Sequence, residues 1–329
     1  MQRGRGFLLL VVLLALLTAC SDGAGNRPYV LATATTGGTY YPVGVALATI
    51  TKAQLYETEG ISLAAISSAG SAENIKLMRD NQAQFALLQG IFVAWAWNGE
   101  GPVRQPQPWL RSIAATWLNA DHFVLLSELT EDGTVTDLAR LDGERFVLGA
   151  RNSGAMWSGH HILTSLGIDY EQQFTLAWMG YGATANAIQD GTIVGMNVPG
   201  GAPVGAITRA FAATGSDLTL LEFTDEQIAA INARYPLWRR YVLAPGTYPN
   251  QAQAVQSIAH PNAHPPVPAV RADVPEEAAS QITRAIFENL GALHELHRAT
   301  RELTLETALG GLGAPLLPGA LRYYREQGV

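Results

Sequence analysis

The sequence predicts an α/β fold in which short strands alternate with helices through turns rich in glycine and hydroxyl residues. Three observations carry this reading. Two strand–turn–helix–strand units follow one another between Leu31 and Gln89. The same order returns between Arg145 and Val198 without matching residues. The composition, 48% hydrophobic and only 15% charged, supplies ample material for a packed core. A length of 329 residues suggests roughly two domains.

The N-terminus reads as an export signal. Arg3 and Arg5 precede an apolar run from Phe7 to Leu17, which is short for a bilayer span and ends at LTAC, with Cys20 the sole cysteine. A lone cysteine directly after such a segment resembles the bacterial lipobox, in which it is lipidated and becomes the mature N-terminus. Residues 1–19 would then be the signal peptide and 20–28 a small, polar lipidated tether. The other reading is an ordinary signal peptide beside an incidental cysteine. No later stretch is long and apolar enough for a transmembrane helix.

LATATTGGTYYPVGV (Leu31 to Val45) opens the folded part. Leu31 to Thr35 is small, apolar and β-tolerant, and Gly37-Gly38 breaks it. Thr39 is placed to cap a helix whose apolar side includes Val43, Leu47 and Ile50. A glycine turn feeding a helix N-terminus is either an anion cradle of free N–H groups or simply a corner. Ile61 to Ile66 reads as a strand, Ser67 to Ser71 as a turn, Ala72 to Arg79 as a helix and Phe85 to Leu88 as a buried strand. Arg111 to Trp117 and His122 to Leu126 read as further strands.

The pattern then restarts. Val135 to Leu141 is a short helix, Arg145 to Gly149 a strand, Asn152-Ser153-Gly154 a polar turn, and Ser158 to Leu166 a helix closed by Gly167. Phe174 to Trp178 is a strand, Ala183 to Gln189 a helix and Thr192 to Val198 a strand. It runs into VPGGAPVGAI, which opens a helix from Val204 to Ala213. Leu218 to Phe223 is a strand, and Thr224 to Gln227 caps a helix ending near Pro236. Ala259 to Val270 reads as an extended crossing segment and Glu276 to His297 as one long amphipathic helix.

Eight stretches, in this order, carry a family resemblance: GGTYYPVG (Gly37 to Gly44), SAGSAENIKLM (Ser68 to Met78), FALLQ (Phe85 to Gln89), NSG (Asn152 to Gly154), DGTI (Asp190 to Ile193), GGAPVGAI (Gly200 to Ile207), GTYP (Gly246 to Pro249) and PGALRYYREQG (Pro318 to Gly328). The chain resembles the TAXI solute-binding proteins of tripartite ATP-independent periplasmic (TRAP) transport systems. That resemblance implies a two-lobe fold of the type II periplasmic-binding-protein kind, with a ligand cleft between the lobes. It places lobe I at 29–126 and 253–329 and lobe II at 127–252. It implies capture of a small organic anion, such as glutamate, glutamine or an oxo-dicarboxylate, for TRAP membrane permease subunits. No enzymatic activity, cofactor or metal is expected, the protein is expected to be a monomer, and its place is the periplasm or cell surface. A ligand-sensing lipoprotein presenting the solute to a receptor, or a secreted hydrolase, are the competing readings.

The expected ligand-binding residues are Thr36, Gly38, Thr39, Tyr40, Ser71 and Gln89 from the first lobe, and Arg151, Asn152, Ser153, Gly154, Tyr181 and Gly201 from the second. Hydroxyls, amides and backbone N–H groups can hold a carboxylate without a formal counter-charge. Arg151 is either a bidentate carboxylate clamp or a surface ion-pair residue. Trp157 and Trp178 either wall the cleft or fill core. HELH (His294 to His297) lacks the zinc-protease spacing, and no G-x-S-x-G elbow or phosphate loop occurs. The net charge of −7 argues against a nucleic-acid partner.

Overall fold

The computed structural model describes residues 26–329 apart from 234, 235, 237 and 261–266. The expected signal peptide and Cys20 lie outside the described residues.

The first sheet is built from β1 (Arg27–Ala32), β2 (Ile61–Ile66), β3 (Phe85–Leu88), β4 (Leu110–Ser112) and β13 (Val267–Arg271) in the order β2-β1-β3-β13-β4. β1 runs parallel to β2 and β3, whereas β13 returns late in the chain and pairs antiparallel with β3 and β4. All four residues of β3 are buried, which explains why it reads as an unbroken apolar run. Three helices follow the parallel strands: α1 (Tyr40–Glu59), α2 (Ser71–Arg79) and α3 (Gly90–Asn98).

The second sheet repeats the plan with β6 (Phe123–Leu126), β7 (Arg145–Gly149), β8 (Thr175–Trp178), β9 (Gly195–Asn197) and β10 (Leu218–Leu220). Read from the far edge, its order is β8-β7-β9-β6-β10, with β7 parallel to β8 and β9 and with β6 antiparallel to β9 and β10. Each parallel strand again leads to a helix: α4 (Gly154–Ser165) after β7, α6 (Tyr181–Gln189) after β8 and α7 (Gly205–Thr214) after β9; the short α5 (Tyr170–Gln173) precedes β8. A third, antiparallel sheet of β5 (Asn119–Asp121), β11 (Arg239–Leu243) and β12 (Val255–His260) lies on both crossings between the larger sheets, since β5 joins β4 to β6 and β12 joins β11 to β13.

Several elements differ from the sequence reading. The strand expected over Arg111 to Trp117 shrinks to Leu110–Ser112. That expected over His122 to Leu126 is interrupted at His122, whose buried ring bonds the Val198 carbonyl through Nδ1 (3.0 Å) and the Tyr248 hydroxyl through Nε2 (2.8 Å). β6 pairs into the second sheet although the expected boundary put it with the first lobe. The long C-terminal helix is two, α9 (Glu276–Phe287) and α10 (Leu290–Leu296), broken where the Asn289 amide turns back to the Ala285 carbonyl at 2.8 Å. The stretch expected as a helix over Val135 to Leu141 is a 3-10 turn, Val135–Arg140. The helix α8 (Asp225–Asn232) opens with the expected capping box of Thr224 and Gln227 and stops short of Pro236.

Candidate functional site

Every parallel strand in the two large sheets points its C-terminal end toward the line where the sheets face one another, as open α/β sheets place their ligand crevices. A small cavity of about 30 Å³ lies there. It is bounded by Thr35, Gly38, Thr39 and Tyr40 after β1, Gly70 and Ser71 after β2, and Gln89 after β3. The second half contributes Ser153 and Gly154 after β7, Tyr181 after β8, and Pro199 and Gly200 after β9; Asn119 enters from the crossing strand β5. Five helices, α1, α2, α3, α4 and α6, therefore begin at this one cavity. The first turn of a helix carries N–H groups without intrahelical partners and a partial positive charge.

Local packing fixes these turns. Asn74, fully buried on α2, donates to the carbonyls of Thr33 (2.7 Å) and Leu87 (2.9 Å) and accepts from the Ser68 hydroxyl (2.6 Å), tying together the strand ends that open the cavity. The Ser71 hydroxyl accepts from the Gln89 N–H at 3.0 Å. Ser153 caps α4 by accepting from the Met156 N–H at 3.0 Å. Thr39, expected to cap α1, makes no side-chain cap; its hydroxyl donates across the cavity rim to the Gly201 carbonyl at 2.8 Å.

That bond is one of a set joining the two halves. The Glu73 N–H donates to the Asn152 carbonyl (3.1 Å), the Tyr181 N–H to the Thr35 hydroxyl (3.3 Å) and the Ala206 N–H to the Gly37 carbonyl (3.0 Å). Glycine permits the approach: a Cβ on Gly37 would lie 2.7 Å from the Gly182 nitrogen, and one on Gly154 would lie 2.5 Å from Gln89 Oε1. The halves are thus closed around the cavity.

Three polar side-chain atoms at the cavity are buried and have no hydrogen-bond partner: Tyr40 OH, Gln89 Oε1 and Asn119 Nδ2. A buried polar atom without a partner costs about 1–3 kcal/mol, so a cluster of three at one cavity calls for ordered water or a polar ligand there. Burial raises the Tyr40 phenol well above its ordinary range, and burial does the same to Tyr181, whose hydroxyl donates to the Pro199 carbonyl at 2.8 Å. Both phenols are therefore neutral donors at ordinary pH. No charged side chain is present among the described residues bounding the cavity.

Of the expected site residues, the structure brings Gly38, Thr39, Tyr40, Ser71, Gln89, Ser153, Gly154 and Tyr181 to the cavity. Thr36 is exposed at its edge, and Asn152 and Gly201 take part through their carbonyls as bridges between the halves. Arg151 is exposed and is not among the bounding residues; its guanidinium stacks on Trp178, 4.8 Å from the ring centroid, which directs it away from a clamping role in this arrangement. Trp157 borders a separate crevice with Trp95 and His161. In HELH, His294 Nε2 lies 3.2 Å from the Leu303 carbonyl and His297 accepts from the Ala299 N–H, and no metal-holding cluster of His, Cys, Asp or Glu occurs among the described residues. Sequence reasoning missed Asn119, whose only signal was an Asn two positions before an Asp in an apolar stretch, and Asn74, whose only signal was its place in the SAGSAENIKLM stretch.

A model of the NMT1-like family matches residues 31–328. The chain belongs to that family. Its fold also matches solved structures at low identity. PhnD1 from Prochlorococcus marinus, solved with methylphosphonate, aligns with a TM-score of 0.53 at 13% identity over 85% of this chain and 93% of that one. The periplasmic binding protein BugD aligns at 0.52 and 13% over 92% and 93%. A binding-protein component of an ABC phosphonate transporter from Pseudomonas aeruginosa aligns at 0.51 and 12% over 85% and 80%. The family member described here thus has the two-lobed type II periplasmic-binding-protein fold.

Proposed function

We propose that the protein is an extracytoplasmic solute-binding protein that captures a small organic anion and hands it to a membrane transporter. The observation that carries this reading is the convergence of five helix N-termini and three unpartnered buried polar atoms on a cavity between two closed lobes. Closing two lobes over a ligand is a trap, and the described residues bounding the cavity include no nucleophile–base–orienter set that catalysis would need. The binding residues are Gly38, Thr39, Tyr40, Ser71, Gln89, Asn119, Ser153, Gly154 and Tyr181. Arg151 is a surface residue of the second lobe in this proposal.

The ordered motifs from Gly37 to Gly328 favour the TAXI branch and a TRAP-type permease as the partner, with the protein held at the membrane by a lipid on Cys20. The first lobe comprises the chain up to β4 and from β13 onward, the second runs from β6 to β10 and α8, and the third sheet is the hinge. Thermal-shift screening of the purified full chain against organic acids, amino acids, methylphosphonate, neutral sugars and cations tests the reading. An organic acid at about a hundred times its Kd adds roughly 2.7 kcal/mol of stability. Stabilisation by sugars or cations alone would refute the anion trap.

A further inference from the structure

Resting on the anion reading just given, we infer that the ligand is a compact 2-hydroxy monocarboxylate, of the size of glycolate or lactate, rather than a dicarboxylate or an amino acid. Size is the first argument. A cavity of about 30 Å³ corresponds to some two or three water positions, at roughly 10–15 Å³ for each. Two or three waters, at roughly 30 Å³ of liquid volume each, occupy about the space of the five or six heavy atoms of glycolate or lactate. A glutamate-sized dicarboxylate does not fit unless the lobes part, which would break the bonds from Thr39 to Gly201 and from Glu73 to Asn152.

Charge is the second argument. The helix N-termini and the donors Tyr40 OH and Asn119 Nδ2 suit one carboxylate. A second carboxylate would find no arginine or lysine among the described bounding residues. The remaining unpartnered atom, Gln89 Oε1, is an acceptor and asks the ligand for a hydrogen-bond donor close to its carboxylate. An ammonium could supply it, but no Asp or Glu is present among the described residues bounding the cavity, and the helix dipoles repel a cation there. A neutral hydroxyl meets the demand without that repulsion.

Isothermal titration of the full chain with glycolate, lactate, propionate, alanine, succinate and glutamate tests the inference, with sodium chloride as the control. Lactate or glycolate should bind at least about tenfold more tightly than propionate, the effect of one buried hydrogen bond, and more tightly than alanine, succinate or glutamate. In Gln89→Leu the ratio of lactate to propionate affinity should collapse to near unity, whereas Arg151→Gln, outside the cavity, should keep the wild-type ratio. Equal binding of lactate and propionate by the wild-type chain would overturn the hydroxyl assignment, and tightest binding of glutamate, succinate or alanine would overturn the ligand class, with the anion trap intact. Binding of none of these acids would overturn the inference; if every organic acid in the wider screen also failed, the anion trap would fall with it.

Discussion

At the scale of single residues, closure depends on atoms that are missing. Gly154 sits at the start of α4 with the Gln89 amide against its α-carbon, so a methyl group there would collide at 2.5 Å. Gly154→Ala should improve helix propensity slightly yet weaken ligand binding about tenfold, because the Gln89 amide at the cavity must swing aside to admit the methyl group. Titration calorimetry alongside a thermal melt checks this; unchanged affinity with an unchanged melt would show that the lobes do not meet at Gly154 when ligand is bound. A second residue-scale effect lies in the third sheet. Burial pushes the Asp121 carboxyl up from 3.8 to about 7, against the lowering effect of the Trp238 indole N–H (2.8 Å) and the Ser158 hydroxyl (3.2 Å). Its folded state holds the proton more tightly than the unfolded one, so this contribution is complete below 3.8 and is lost as pH rises through about 7. Burial lowers the neighbouring His122 from 6.5 to about 4, which gives the opposite slope: stability present above 6.5 and lost as pH falls through about 4. The two slopes offset each other between about pH 4 and 6.5. Asp121→Asn should expose the His122 slope, so the stability of the variant relative to wild type rises with pH by about 1.4 kcal/mol per unit in that window. Urea midpoints measured from pH 4.5 to 7.5 decide it, and a difference that stays flat with pH would mean that Asp121 is ionised in the folded protein.

At the scale of elements, α3 shows where pattern reading loses its signal. GIFVAWAWN is apolar on every side, so no 3.6-residue alternation marks it, and six of its nine residues are buried between β13, β4 and α2. An element buried all round reads alike as strand or helix. Phe92, fully buried and edge-on to Trp95 at 5.1 Å, belongs to a core cluster that includes Ala86 and Leu88 of β3 and reaches Phe123 and Phe146 of the second half. Phe92→Ala should cost about 3–5 kcal/mol through lost burial and the cavity left behind. A urea melt reports the loss directly; a loss below 1 kcal/mol, on the order of a surface change, would mean that the site collapses around the smaller side chain. The break between α9 and α10 is a contrary case: the amphipathic pattern continues across it, and only the Asn289 bond to Ala285 marks the stop.

At the scale of the whole molecule, the two sheets share one plan, three parallel strands with an antiparallel strand inserted from the crossing, and this brings their helix N-termini face to face. The third sheet carries both crossings, so opening the proposed trap would bend β5, β12 or the segments beside them. Membrane attachment belongs to this scale too. The proposed lipid on Cys20 would tether the two-lobed body through the short polar segment that follows it. Cys20→Ala should move the protein from the membrane to the soluble fraction of a cell lysate, and undiminished membrane partitioning would rule the anchor out.

The sequence by itself determined the α/β class, the repeated strand–turn–helix order, and strand bounds such as Ile61–Ile66, Phe85–Leu88 and Arg145–Gly149, which the structure reproduces residue for residue. These were legible because a buried parallel strand needs a continuous apolar run and its exit needs glycine or a hydroxyl residue, both of which are local in sequence. The motifs also marked the turns after β1, β2, β3, β7 and β9, which the tertiary structure gathers around one cavity. Only that structure decided which side chains in those turns face inward. Thr39 reaches Gly201 across 162 residues instead of capping its own helix, Arg151 turns to Trp178, and Asn119 arrives from a crossing strand with no motif to announce it. A hydrogen bond or an unpartnered atom between distant segments depends on how two lobes meet, and no local pattern encodes that meeting.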